Sequence, residues 1–159
     1  MPPTRERLLQ GTAEFLDNIN QWTVDSLCAG RTPSSITRIL PQSLGIPDAD
    51  NAAFRKFVLG LNGEVWNFRM RLAPGASPIV DAKARKVVMH MMSHGESITG
   101  PYENEYIFVI TFDEKGELLT EVVEFTDSAY FQAFLARQAA HWAQSEMSKN
   151  GKEDNLGQG

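Results

Sequence analysis

The chain has 159 residues, 42% of them hydrophobic and 22% charged, which suffices for one domain with a real core and falls short of two. Its net charge of −5 argues against nucleic acid or an anionic membrane surface as a partner, because both reward clustered Lys and Arg. Cys28 is the lone cysteine, no run approaches the roughly 18 apolar residues of a membrane span, and the N-terminus lacks a signal peptide's apolar segment, so a cytoplasmic protein is expected.

Thr4 is placed to cap a first helix on which Leu8, Leu9, Phe15, Leu16 and Ile19 recur at helical spacing. Thr23 caps a short second helix that stops at Gly30, and Trp22 stands at the joint. Ser34–Leu44 reads as an edge strand interrupted by Pro41. Asp50 then caps a helix with Phe54, Phe57, Val58 and Leu61 on one face. Glu64–Leu72 alternates as a strand, with Glu64, Trp66, Phe68, Met70 and Leu72 on the apolar side, and Ala73–Asp81 is a loop or irregular hairpin.

Three long strands follow, Ala84–His94, Tyr102–Phe112 and Leu118–Phe125, separated by turns at Gly95 to Pro101 and at Asp113-Glu114-Lys115-Gly116. Alternation puts Asn104, Tyr106, Phe108, Ile110 and Phe112 on one face, the better candidate for the inside, and Glu105, Ile107, Val109 and Thr111 on the other. The Met89/Met91 face is apolar too. Two apolar sheet faces in so small a protein imply that a partner covers one of them, most simply in a C2 homodimer through the outer face. Asp127 or Ser128 caps a last helix carrying Phe131, Phe134 and Leu135, and the domain is expected to span 1–142, with a polar, disordered tail over 143–159.

The run Ala84-Arg85-Lys86-Val87-Val88, with His90, Gly100-Pro101-Tyr102, Asn104-Glu105-Tyr106, Phe112-Asp113, Gly116 and Glu124-Phe125-Thr126-Asp127-Ser128, resembles small fungal proteins of the SnoaL-like branch of the nuclear-transport-factor-2-like superfamily. The resemblance covers roughly Thr4 to Trp142. It implies an α+β cone, with N-terminal helices packed on a curved, mostly antiparallel sheet and a C-terminal helix, and a ligand held between helices and sheet.

A carboxylate in such a water-poor hollow gains a pKa near neutrality and can both take and return a proton without metal or cofactor. Glu124 is the first candidate, because the resemblance implies an acid three residues before Asp127 as the base. Counting from Gly116 instead points to Val123, so Glu124 requires a bulge within Thr120–Val122. His90, mid-strand among apolar residues, is the second catalytic candidate and Glu64 the third; Asn104, Tyr106, Phe108, Trp22 and Trp66 are candidates for binding substrate. The resemblance implies an isomerase or cyclase acting on a polycyclic polyketide or meroterpenoid in fungal natural-product biosynthesis. A hydrolase opening a lactone or epoxide, a lyase, and a non-catalytic binding or dimerisation module stay open as alternatives.

Overall fold

The computed structural model describes the backbone of residues 1–156 and the side chains of residues 1–147. Helix α1 (Arg5–Gln21) and the short α2 (Val24–Leu27) lead into strand β1 (Arg31–Leu40), a 3-10 turn (Gln42–Leu44) and helix α3 (Asn51–Glu64). Strands β2 (Val65–Leu72), β3 (Ile79–Asp81), β4 (Lys86–Ser97), β5 (Gly100–Phe112) and β6 (Leu119–Thr126) follow, and α4 (Ser128–Leu156) closes the chain. The six-stranded sheet has the order β1-β6-β5-β4-β2, with β3 paired to β4. Only the β1–β6 pairing is parallel among the described strands, so the architecture is the expected α+β cone on a mostly antiparallel sheet.

The helices start where the polar caps stand. Thr4 Oγ1 accepts from Arg7 N at 3.1 Å, Asp50 Oδ1 accepts from Ala53 N at 2.8 Å, and Asp127 Oδ1 accepts from Ala129 N and Tyr130 N at 3.1 Å. The concave sheet face, with Met89, Met91, Tyr106, Phe108, Ile110 and Phe112, packs on Leu8 and Ile19 of α1 and on Phe131 and Phe134 of α4. Burial of these side chains stabilises by about 1.5–3 kcal/mol each. Helix α1 crosses the sheet so closely at Gly11 that an added Cβ would lie 2.7 Å from the Phe112 ring.

Several expectations need correction. Glu64 ends α3, and the strand begins at Val65. Asn67 takes a left-handed φ of 50°, and the β2–β4 register shifts between Trp66 and Arg69. That bulge reverses the alternation: Val65, Phe68 and Met70 are buried, whereas Trp66 is 40% exposed and donates from Nε1 to Glu96 Oε2 at 2.9 Å. Gly95 is not in the turn; it lies inside β4, where a Cβ would come 2.8 Å from Val65, and the turn is Ile98-Thr99. Helix α4 runs to Leu156, through the stretch read as a polar tail; residues 157–159 lie outside the described residues.

Because a β-branched residue at positive φ is disfavoured, Asn67→Val is expected to destabilise by about 1–2 kcal/mol. Asn67→Gly is expected to be neutral or slightly stabilising. Thermal unfolding of the two variants checks the bulge.

Candidate active site

A hollow of about 90 Å³ lies between the concave sheet face and helices α1, α2 and α3. Aromatic rings make most of its wall. Trp22 stacks on Phe68 with centroids 3.9 Å apart and donates from Nε1 to Val65 O at 2.7 Å, while Phe15 meets Phe108 edge-on at 5.8 Å. Trp22 caps α1 in a left-handed conformation, φ 51°, which turns the chain into α2 and lays the indole across the hollow.

Glu124 reaches this space through a bulge. Thr111 pairs with Glu121 and Phe112 with Leu119, leaving Thr120 extra within the stretch where a bulge was required. Leu119, Val122 and Thr126 are thereby buried, Glu124 lines the hollow, and Val123 faces outward with Val109. No described residue donates a hydrogen bond to the Glu124 carboxylate. Burial alone pushes its pKa up to about 7.

Two phenols share the space. Tyr102 and Tyr106 hydroxyls lie 3.2 Å apart, and Ser93 Oγ lies 2.9 Å from that of Tyr106. Burial raises Tyr102 to about 12 and holds Tyr106 well above its ordinary value, and the Glu124 charge pushes both the same way. At neutral pH they remain O–H donors. Asn104 is buried behind them rather than on the hollow: its Nδ2 donates to Tyr102 OH at 3.3 Å and to Thr126 Oγ1 at 2.9 Å, and its Oδ1 accepts from Glu105 N.

Arg31 is the cation of the site. Its guanidinium sits 4.0 Å over the Phe54 ring and donates from Nη1 to Thr37 Oγ1 at 2.8 Å, while its buried Nε has no partner. Burial lowers its pKa to about 10, so it stays charged at neutral pH. Sequence reasoning passed over Arg31 and Tyr102. Tyr102 shares the even-numbered parity of Tyr106 and Phe108, the signal that would have found it, whereas the β1 register shifts between Arg31 and Ile36, so the parity of buried Ser35 and Thr37 does not reach Arg31.

The hollow thus gathers Glu124, Tyr106, Phe108 and Trp22, and leaves out His90, Glu64 and Trp66. Because Met89 and Met91 are fully buried, His90 between them must face outward, where its Nε2 is 2.5 Å from Glu105 Oε1. Glu64 accepts from Gln138 Nε2 and, at 3.4 Å, from Trp142 Nε1, tying the end of α3 to α4 on the far side of the hollow wall. Among the described residues no group of three or more His, Cys, Asp or Glu is placed to hold a metal ion, and no helix is long and apolar enough to cross a membrane.

No family model matches the chain. It is 34% identical over 148 residues to austinoid biosynthesis cluster protein H of Aspergillus calidoustus, a match covering 90% of this chain and 98% of that one. The pinacolase BvnE of Penicillium brevicompactum superposes with a TM-score of 0.84 at 45% identity, over 86% of this chain and 93% of that one. A Shewanella denitrificans protein assigned as a SnoaL-like polyketide cyclase superposes at 0.65 with 13% identity, over 81% of this chain and 96% of that one, a likeness of fold alone.

The raised pKa carries a stability consequence. Glu124 binds its proton more tightly folded (about 7) than at its ordinary value of 4.5, so it opposes folding increasingly as pH rises from 4.5 through 7 and fully above that. Glu124→Gln is expected to gain up to about 3 kcal/mol over the parent at pH 8 and little at pH 4.5, read as a pH-dependent difference in thermal unfolding.

Proposed function

Because the chain belongs to the family of austinoid biosynthesis cluster protein H and the pinacolase BvnE, on a SnoaL-like fold, we propose that it isomerises or cyclises a polycyclic polyketide or meroterpenoid intermediate by cofactor-independent proton transfer. The observation that carries this is Glu124: one carboxyl without a donor among the described residues, poised near pH 7 in an aromatic hollow beside two phenols. Its carboxylate takes a proton from carbon beside a substrate carbonyl. The electron pair moves onto the carbonyl oxygen, where Tyr102, Tyr106 and Arg31 supply hydrogen bonds and positive charge. Collapse of that enolate returns the proton from Glu124 to a different atom, or its carbon attacks a second carbonyl carbon of the same molecule, whose C=O π pair moves onto oxygen and takes the proton from Glu124 as the ring closes.

The pinacolase relative favours a second form of the same chemistry. Tyr102 or Tyr106, assisted by Arg31, protonates a substrate hydroxyl whose C–O bond breaks to release water; a neighbouring carbon migrates with its bonding pair, Glu124 removes the proton of the adjacent hydroxyl as the new carbonyl forms, and that proton returns to the phenolate, a net loss of one water. Trp22 and Phe108 shape the hollow in either form, and Asn104 positions the Tyr102 hydroxyl instead of touching the substrate. His90, Glu64 and Trp66 carry no step.

The partner proposed for the outer sheet face is a second copy of the chain. Ile107 and Phe125, directly opposite each other on β5 and β6, are 40% and 50% exposed, and Val109 and Val123 extend the patch.

The chemistry is tested with the intermediate that accumulates when the gene is deleted in its host. Purified protein is expected to convert it to a product of unchanged mass; gain of one water would mark a hydrolase, and loss of one water a pinacol-type rearrangement. Glu124→Gln is expected to lower kcat/KM by roughly 10²- to 10⁴-fold, and the parent's kcat/KM to rise with pH to a plateau above about 7, as the carboxylate forms. Unchanged turnover in folded Glu124→Gln would remove the proposal. For the dimer, light scattering is expected to give twice the chain mass for the parent and the monomer mass for Phe125→Glu; a monomeric parent would refute it.

A further inference from the structure

The hollow is too small for the ligand its chemistry suits. Its 90 Å³ falls well short of the roughly 300 Å³ at which small-molecule pockets begin. Two further spaces adjoin it: one of about 140 Å³ beneath the loop before α3, and an apolar groove of about 350 Å³ between α3 and α4. Phe57 lines all three.

The loop-side space is roofed by a paired backbone, Thr37 N to Ala49 O at 2.8 Å and Ala49 N to Thr37 O at 2.9 Å, and remains small. The groove is larger. It shares Leu61 and Phe131 with the hollow as well as Phe57, and its far rim ends on the polar Glu64–Gln138–Trp142 contact. Those three shared side chains are a partition of single-residue thickness between two apolar spaces. An apolar ligand anchored at Glu124 gains the missing room only by extending past them.

We propose that the α3–α4 groove is the second half of the ligand site, taking the apolar part of the substrate remote from Glu124, and that Phe57 sets the size of molecule able to extend into it. This rests on the reading above only in that the hollow binds an apolar ligand; it does not depend on what Glu124 does to that ligand.

Two positions separate the spaces cleanly. Gly60 lines the groove but not the hollow, and a Cβ there meets nothing within 4 Å, so Gly60→Phe fills the groove without disturbing the core. Ala53 is exposed and lines only the loop-side space. Calorimetric titration with androst-4-ene-3,17-dione, a rigid neutral four-ring ketone, and with the two-ring 2-naphthol reads the outcome. Phe57→Ala is expected to bind the four-ring probe at least about tenfold tighter than the parent, while 2-naphthol changes by less than about threefold. Adding Gly60→Phe is expected to cancel that gain, and adding Ala53→Phe to leave it. The proposal is overturned if Phe57→Ala gains nothing for the four-ring probe, if the gain survives Gly60→Phe or is lost on Ala53→Phe, or if 2-naphthol gains equally. Thermal melts verify folding, and Phe57→Leu replaces Phe57→Ala should the latter not fold. Because the readout is equilibrium binding, it stands or fails separately from turnover by Glu124.

Discussion

Everything in this molecule turns on the two-residue period of a β-strand and on two of the places where it is broken. Side chains along β4 and β5 alternate without interruption, so Met89, Met91, Tyr106 and Phe108 enter the core and His90, Glu105 and Ile107 cannot. One extra residue at Thr120 shifts β6 so that Glu124 enters the hollow. One left-handed residue at Asn67 shifts β2 the other way and expels Trp66. The fold tolerates each slip because the strand continues in register beyond it, and the composition of the hollow is the sum of both.

Placing Glu124 there sets function against stability. A carboxylate surrounded by rings and given no donor loses hydration that nothing replaces, which is why its proton is held to about pH 7. The phenols stay protonated, since burial and the Glu124 charge both disfavour phenolate, but their hydroxyls are turned to each other and to Ser93, and Arg31 is committed to Thr37 and the Phe54 face. Helix caps and the fully buried core built on Phe112, Phe134 and Leu8 offset the deficit elsewhere. Tyr102 and Tyr106 serve both ends, as buried members of the core and as donors in the hollow.

Most of the architecture was legible in the chain, because caps at Thr4, Thr23 and Asp50 and the alternation of the three long strands are local signals. Glu124 was legible only by counting back from Asp127 and accepting a bulge. Trp66 was misread because nothing local distinguishes Asn67 in an extended strand from Asn67 in a left-handed bulge. Glu64 was misread because a helix end and a strand start look alike when no turn separates them. His90 was within reach: the alternation that seats Met89 and Met91 also ejects it. Arg31 was passed over because an arginine opening an edge strand is ordinarily solvated, and only the packing of Phe54 beneath it shows otherwise.

The three tryptophans occupy three optical environments. Trp66 and Trp142 stand 40% and 48% exposed outside the hollow, whereas Trp22 lies in its wall, stacked on Phe68 and hydrogen-bonded to a buried carbonyl. The indole of Trp22 is therefore expected to emit at shorter wavelength than the other two, and a guest molecule against that wall alters its surroundings, while Trp142 responds only to one that reaches the far rim of the groove. The chain carries its own spectroscopic gauge of occupancy, with no added label.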